Sequence, residues 1–359
     1  MNQQNKNLEL IQVLRGIASL LVVFLHSTVN LNGILKREFF LNIFTFGGAG
    51  VDIFFVLSGF IITYTSSKAL QTSRTPLPFL RRRFVRIYPS YWIVITLFLI
   101  IQLLFTSFYN AGAYNFTLSN ILATFFLLPN HTMVNGVSWT LTYELFFYFL
   151  FSLAFFIPKK KIALLLAVLY AVVIIILHCF GYNAEQEPGK WLQLLTLPMN
   201  TEFIMGIIAA LIVSKIPSSA ALWCLVGGTL LFIGGAVLQD TGHIIVHNGF
   251  NRVILFGIAS FFIITGLVKY ELLHKVNVHN FLLQLGEASY SLYLLHLPLV
   301  VACIKIIAKL GVENNLLIHL LLLGTIIIIC YGSILFFRFI EKPVINKLNS
   351  LGKSISRKS

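Results

Sequence analysis

The stretch LRGIASLLVVFLH, residues 14–26, places an arginine and a histidine inside one apolar, helix-length run. Arg15 and His26 are eleven residues apart. At 100° per residue they return to within about 20° of the same face, with a rise of about 16 Å between them. Charged and titratable groups are expensive in lipid, so such a pair inside a spanning segment marks a functional site. One helix face therefore carries a cation near one membrane boundary and a proton-transfer group three turns deeper.

The same apolar character extends outward in both directions. The chain has 359 residues, is 58% hydrophobic and 11% charged, and has a mean hydropathy of +0.88. Apolar runs of about 20 residues recur from end to end, which predicts an all-α polytopic membrane protein. Ten spans can be drawn: 9–30, 48–66, 87–107, 139–157, 162–180, 197–214, 219–238, 250–268, 287–309 and 315–340. Residues 119–130 are apolar but too few to cross, so they are expected to lie at the interface or re-enter the bundle, packed on protein.

Basic residues set the orientation. With the N-terminus inside, nineteen of the 26 Lys and Arg fall on the cytoplasmic side, Arg15 lies within the first span, and six fall outside. An even number of spans and this bias both put the two termini in the cytoplasm. The net charge of +14 is thus a property of topology, and no nucleic-acid partner is expected. Cys179, Cys224, Cys303 and Cys330 all sit in apolar runs without metal or CxxC spacing, so neither a disulfide scaffold nor a metal site is expected. No small-residue cleavage site follows the first apolar run, and many spans do, which argues against a signal peptide. The expected organisation is one integral-membrane domain over 1–345 and a basic cytoplasmic tail over 346–359, lying on the surface or without structure. The longest outer loop, 108–138, offers Tyr109, Tyr114, Asn115, Asn130, His131 and Asn135 as sugar contacts, although such residues are also ordinary at a membrane interface.

Depth sorts the polar groups into two layers. His26, Asp52, Glu144, Glu202 and Arg252 belong to the outer side. Arg15, the run Arg81 to Arg86, and Arg338 with Glu341 and Lys342 belong to the inner side. A cation-rich inner mouth beneath a His/Asp/Glu layer suits a donor that carries phosphates on the cytoplasmic side. His26 can serve as a general base on a hydroxyl or as a nucleophile forming an acyl-imidazole. Either Asp52 or Glu144 can orient its ring and stabilise the imidazolium. The bland alternatives stay open. His26 can be a neutral histidine bonded across helices. Asp52 can be a helix N-cap after Gly47, Gly48 and Gly50. Glu144 can pair with another span. His296, before Pro298, can be a polar group serving the carbonyl that the proline frees. Arg83 and Arg86 lie one turn apart, ahead of the aromatic anchors Tyr88, Tyr91 and Trp92. They form either a diphosphate fork or a stop-transfer signal.

Six motifs, in order, resemble the membrane acyltransferase-3 family, bacterial proteins that O-acylate envelope glycans and related acceptors. They are LRGIASLLVVFLH, GVDIFFVLSGF, RRFVRIYPSYW, SWTLTYELFFY, SYSLYLLHLPL and EKP, and together they cover almost the whole chain. Arg15 and His26 meet the family's arginine–ten residues–histidine pattern. Arg83 and Arg86 meet its RxxR element. Ser138, Trp139 and Glu144 meet its SW…E element. The resemblance implies a bacterial inner, or plasma, membrane enzyme with no tightly bound cofactor. It implies acetyl-CoA or another acyl-CoA as donor, and an envelope glycan or lipid-linked sugar as acceptor. The CoA phosphates are expected at Arg15, Arg83 and Arg86, with catalysis at His26 assisted by Asp52 or Glu144. Members often carry a fused extracytoplasmic esterase-like domain. None follows here, so a second transfer step would need a separate periplasmic or extracellular partner. The rival class is a transporter or flippase of an envelope glycan or small molecule. Paired Gly/Pro-broken spans around one midplane site would mark it, and the two-layer pattern lacks them.

Overall fold

The computed structural model of the protein describes residues 8–72, 75–104, 116–129, 133–242 and 249–356. Among them every regular element is a helix and no strand occurs. In chain order these are α1 Glu9–Leu35, α2 Ala49–Thr72, α3 Leu77–Leu104, α4 Leu118–Phe125, α5 Trp139–Leu153, α6 Lys160–Cys179, α7 Lys190–Thr196, α8 Asn200–Ile212 and α9 Ala220–Asp240. There follow α10 Phe250–Leu273, α11 Asn280–Glu287, α12 Ser289–Lys309, α13 Asn315–Phe336 and α14 Lys342–Ser356. One π turn, Val253–Gly257, lies inside α10, and another, Phe337–Glu341, joins α13 to α14. Only helices satisfy every backbone group within their own segment in lipid, so this architecture is what the composition demands.

Nine stretches among the described residues are long and apolar enough to cross a membrane. The difference from ten lies at the expected fourth span. There α5 has 15 residues, about 22 Å of helix, and three turn residues follow it before Pro158. Lys160 ends the helix by donating Nζ to the Ala154 and Ile157 carbonyls, at 2.9 and 2.8 Å. A cation on the last carbonyls is a favourable helix terminus.

Two compact units divide the chain. The first comprises 1–22, 45–76 and 143–286; the second comprises 23–44, 77–142 and 287–359. In the first unit, Ile11, Leu14, Ala18, Ile53, Val56, Leu57, Phe60, Ala209 and Ile264 form a buried core. Lipid tails are as apolar as leucine, so close packing and hydrogen bonds, rather than water exclusion, hold such helices together. Glycine makes that approach between α2 and α8. A Cβ on Gly206 would strike the Val56 carbonyl, and one on Gly59 would strike the Phe203 carbonyl. Phe203 then stacks on Phe147, with centroids 3.8 Å apart at 8°. Glu271 of α10 caps α1 by accepting from the Glu9 and Leu10 amides, at 2.5 and 3.0 Å.

Hydroxyls inside the helices turn back on their own backbone. Ser19, Ser27, Thr28, Thr265 and Thr325 each donate to the carbonyl four residues earlier. That pattern satisfies a polar side chain where water is absent.

Two prolines free carbonyls, and an asparagine takes each one. Pro198 separates α7 from α8, which holds the expected span 197–214, and Asn200 Nδ2 donates to Leu194 O at 2.8 Å. In the second unit Pro298 sits inside α12, and Asn135 Nδ2 donates to Leu294 O at 2.9 Å. In both cases the carbonyl is four residues before the proline, the one that loses its N–H partner.

Also in the second unit, the segment too short to span is α4. The α3 aromatics hold its C-terminal carbonyls: Tyr91 and Trp92 reach Thr124 and Phe125 at 2.9 Å each, and Tyr88 reaches Phe126 at 3.2 Å. These side chains, read as interface anchors, are the donors that let α4 end while packed on protein. The C-terminal helix α14 has Val344, Ile345 and Leu348 half-buried, and Arg81 Nη2 donates to Leu348 O at 2.6 Å. Its apolar positions recur at helical spacing, which provides a packing face despite low mean hydropathy.

Candidate active site

Helix α12 organises the second unit through a ladder of side chains. Tyr290 donates to Ile87 O of α3 at 2.9 Å. Ser291 donates to the buried Glu341 carboxylate at 2.5 Å, which joins the SYSLYLLHLPL and EKP motifs. Tyr293 donates to Val137 O at 3.0 Å and bonds the Thr140 hydroxyl at 2.8 Å. The turn Gly136–Ser138 is thereby tied to α12 just ahead of α5.

His296 lies on this ladder, fully buried. Its Nδ1 is 3.1 Å from Leu292 O, and its Nε2 is 3.1 Å from His26 Nδ1. The ring centroids are 5.0 Å apart at 51°. Proton positions follow from the partners. A carbonyl only accepts, so His296 Nδ1 carries the hydrogen and its Nε2 accepts. The hydrogen between the rings then belongs to His26 Nδ1, which leaves Nε2 of His26 as the unprotonated, basic nitrogen. His26 is partly exposed whereas His296 is not. The arrangement has the logic of a triad, with a neutral histidine and a backbone carbonyl where a carboxylate usually stands. The sequence offered Asp52 and Glu144 as orienting partners of His26; the partner seen within this unit is His296.

The two carboxylates belong to the first unit, each with its own contacts. Asp52 is completely buried and binds Arg252, with Nη2 at 2.8 Å and Nε at 3.0 Å from both carboxylate oxygens. Arg252 also donates to the Gly48 carbonyl. Asp52 is not an N-cap, because α2 already begins at Ala49 and the aspartate lies in its first turn. Glu202 is equally buried, near enough to interact electrostatically with Asp52 and Arg252, and a Cβ on Gly257 would come within 2.8 Å of its Oε1. The π turn beginning at Val253 brings that glycine to it; such turns recur at functional positions. Glu144 Oε1 accepts from Ser58 Oγ at 3.0 Å and from the Tyr148 hydroxyl.

The arginines complete the set. Arg15 is buried on α1 and donates to Gln12 Oε1 at 3.1 Å. α1 is unbroken from Glu9 to Leu35, so Arg15 and His26 keep their eleven-residue helical offset. In the second unit Arg83 and Arg86 are one turn apart on α3, both partly exposed, with the Arg83 guanidinium 5.5 Å from the Phe79 ring centre. Ser138 and Trp139 stand at the start of α5.

Sequence reasoning missed Asn135 as a structural residue. It is buried and bonded to Leu294 O, so its amide is not a sugar contact. The freed carbonyl was legible from Pro298, but not which residue would cover it. Tyr109, Tyr114, Asn115, Asn130 and His131 lie outside the described residues. No group of three or more His, Cys, Asp or Glu with metal-binding geometry occurs among the described residues.

The family model of an acyltransferase domain matches residues 8–336. The exopolysaccharide production protein ExoZ of Rhizobium meliloti is 27% identical over 323 residues, spanning 85% of this chain and 91% of its own. The acyltransferase MdmB of Streptomyces mycarofaciens is 26% identical over 320 residues, spanning 79% and 76%. The O-acetyltransferase OatA of Staphylococcus aureus is 27% identical over 339 residues, spanning 84% of this chain but 53% of OatA. No solved structure matches significantly.

Proposed function

Because the chain belongs to the acyltransferase-3 family of membrane acyltransferases, we propose that it transfers an acetyl or other short acyl group from acyl-CoA to a hydroxyl of a cell-envelope polysaccharide or lipid-linked sugar. The observation that carries the proposal is the 3.1 Å bond between His26 Nδ1 and His296 Nε2. It leaves a basic nitrogen on His26, a partly exposed histidine of the LRGIASLLVVFLH motif. The likeness to ExoZ, an exopolysaccharide production protein, and to OatA, an O-acetyltransferase, supports a polysaccharide acceptor and an acetyl group.

In the proposed reaction the acceptor hydroxyl gives its proton to His26 Nε2 as its oxygen attacks the thioester carbonyl. A C–O bond forms and the carbonyl electron pair moves onto oxygen. Collapse of this intermediate breaks the C–S bond, and the departing thiolate takes the proton back from His26 as CoA–SH. Through both steps His26 Nδ1–H stays bonded to His296, which holds the ring while it is imidazolium. The CoA phosphates are assigned to Arg83 and Arg86, whose spacing on one helix suits a diphosphate, and to Arg15. The donor enters from the cytoplasm, where the positive-inside rule places these arginines, in a bacterial inner membrane. Asp52 and Glu144 are assigned to positioning, the first through its ion pair with Arg252.

The test is O-acetyl content of the envelope glycans, read by proton NMR and mass spectrometry. Cells lacking the gene are complemented with wild type or His26→Ala at matched membrane levels. Ester restored by wild type alone supports the reading; equal ester in both strains removes His26 from catalysis.

A further inference from the structure

Among the buried polar groups of the second unit, the Ser138 hydroxyl has an unusual position. Ser138 is 1% exposed, and its Oγ has no hydrogen-bond partner among the described residues. A hydroxyl in that state is costly, the more so in a membrane protein, and its persistence calls for a ligand atom that completes it. Ser138 immediately precedes α5, a helix of 15 residues. The backbone dipoles at the start of a helix present partial positive charge to a group placed there. The serine hydroxyl is therefore a donor held at the positive end of a helix.

Asn135 and the turn Gly136–Ser138 are bound to α12 within one turn of His296. Asn135 donates to Leu294 O at 2.9 Å, and Tyr293 donates to Val137 O at 3.0 Å. A Cβ on Gly136 would lie 3.3 Å from Leu297 Cδ2. Residues 293, 294 and 297 thus all touch this turn, and His296 lies among them with its ring 5.8 Å from that of Tyr293. Ser138 N is itself fixed by Asn135 O at 2.9 Å, so the serine is held on a rigid turn.

We propose that the Ser138 hydroxyl, at the positive end of α5, receives the oxyanion that forms on the thioester carbonyl during acyl transfer. The inference rests on the acyl-transfer reading and assigns the half of the chemistry that the histidines do not perform. As the nucleophile adds, the carbonyl electron pair moves onto oxygen, and Ser138 O–H donates a hydrogen bond to it without losing its proton. On collapse the pair returns to the carbonyl, the C–S bond breaks, and Ser138 is unchanged. Donors fixed in advance at a developing charge stabilise it without reorganisation, and removing one typically lowers turnover about 10²-fold or more.

The experiment compares wild type, Ser138→Ala and Ser138→Cys, reconstituted in lipid nanodiscs. Cysteine fills the serine's volume and slightly more but is a poor donor, so it separates hydrogen bonding from packing. Both variants are expected to lose about 10²-fold in kcat, with KM for acetyl-CoA and the thermal midpoint unchanged. In parallel, binding of S-carboxymethyl-CoA, whose carboxylate stands in for the oxyanion, should weaken in both variants while binding of CoA does not. Full kcat in Ser138→Ala overturns the proposal, as does recovery in Ser138→Cys, which would mean that volume alone matters. If wild type binds the carboxymethyl analogue in a Ser138-dependent way yet transfers nothing, the acyl-transfer reading fails and the oxyanion site stands. If neither binding nor turnover depends on Ser138, the site fails while the transfer reading survives.

Discussion

Replacing His296 tests the proton arrangement that the reaction depends on. His296 is fully buried and accepts from His26 Nδ1 at 3.1 Å while its own Nδ1 is spent on Leu292 O. His296→Leu removes the acceptor, leaving His26 Nδ1–H without this partner and its ring without a fixed tautomer. Losing one partner of a buried hydrogen bond costs about 1–3 kcal/mol. At about 1.36 kcal/mol per decade of rate, this is a fall of roughly 5- to 150-fold in kcat. The loss should be confined to turnover, because His296 is not assigned to the donor's phosphates, and KM for acetyl-CoA should hold. His296→Gln gives the internal control. An amide oxygen can accept from His26 Nδ1–H much as the imidazole nitrogen does, so this variant should recover most of the lost rate. The assay is initial-rate transfer of labelled acetyl from acetyl-CoA in membrane vesicles, with equal amounts of each variant confirmed by immunoblot. Leucine as active as histidine, or glutamine as poor as leucine, would refute the tautomer argument.

Three further outcomes follow from the packing and the buried polar groups. Asn135→Leu should destabilise by about 1–3 kcal/mol by uncovering Leu294 O; adding Pro298→Ala restores an N–H to that carbonyl, so the double variant should unfold at a higher temperature than Asn135→Leu alone. Arg252→Leu should cost about 3–5 kcal/mol because it leaves the Asp52 carboxylate buried and uncompensated beside Glu202. Asp52→Leu combined with Arg252→Leu should cost less than the sum of the single changes, and strict additivity in a double-mutant cycle would rule out the coupling. Gly227 and Gly228 are neighbours with opposite surroundings: a Cβ meets nothing within 4 Å at the first but lies 2.8 Å from Ile263 N at the second. Gly228→Ala should therefore lower the thermal midpoint in detergent, while Gly227→Ala leaves it level or raises it through better helix propensity.

What could be read in advance was whatever depends on neighbours along one helix. The common face of Arg15 and His26 follows from the helical repeat, and α1 runs unbroken through both residues. The carbonyl uncovered by Pro298 follows from proline lacking an N–H. The failure of residues 119–130 to cross follows from length. What could not be read were partners distant in the chain. Asp52 finds Arg252 200 residues later, and His26 finds His296 270 residues later. In each case the residue types allowed several pairings, and only packing selects one. Asn135 lay in a stretch read as an outer loop, where an amide suggests a sugar, yet it completes a broken helix. Residues 346–356 of the basic tail, expected on the surface or without structure, continue the helix α14, in which Val344, Ile345 and Leu348 have the spacing of one helix face.

The most direct test of the account uses inside-out membrane vesicles supplied with acetyl-labelled CoA, with wild type and His26→Ala compared at equal density. Donor binding is measured by filtration and transfer by label recovered as base-labile ester in the envelope-glycan fraction. The account predicts that His26→Ala binds acetyl-CoA as tightly as wild type and forms no ester. Ester formation at the wild-type rate by His26→Ala would contradict it, and the basic nitrogen held by His296 would no longer be the centre of the reaction.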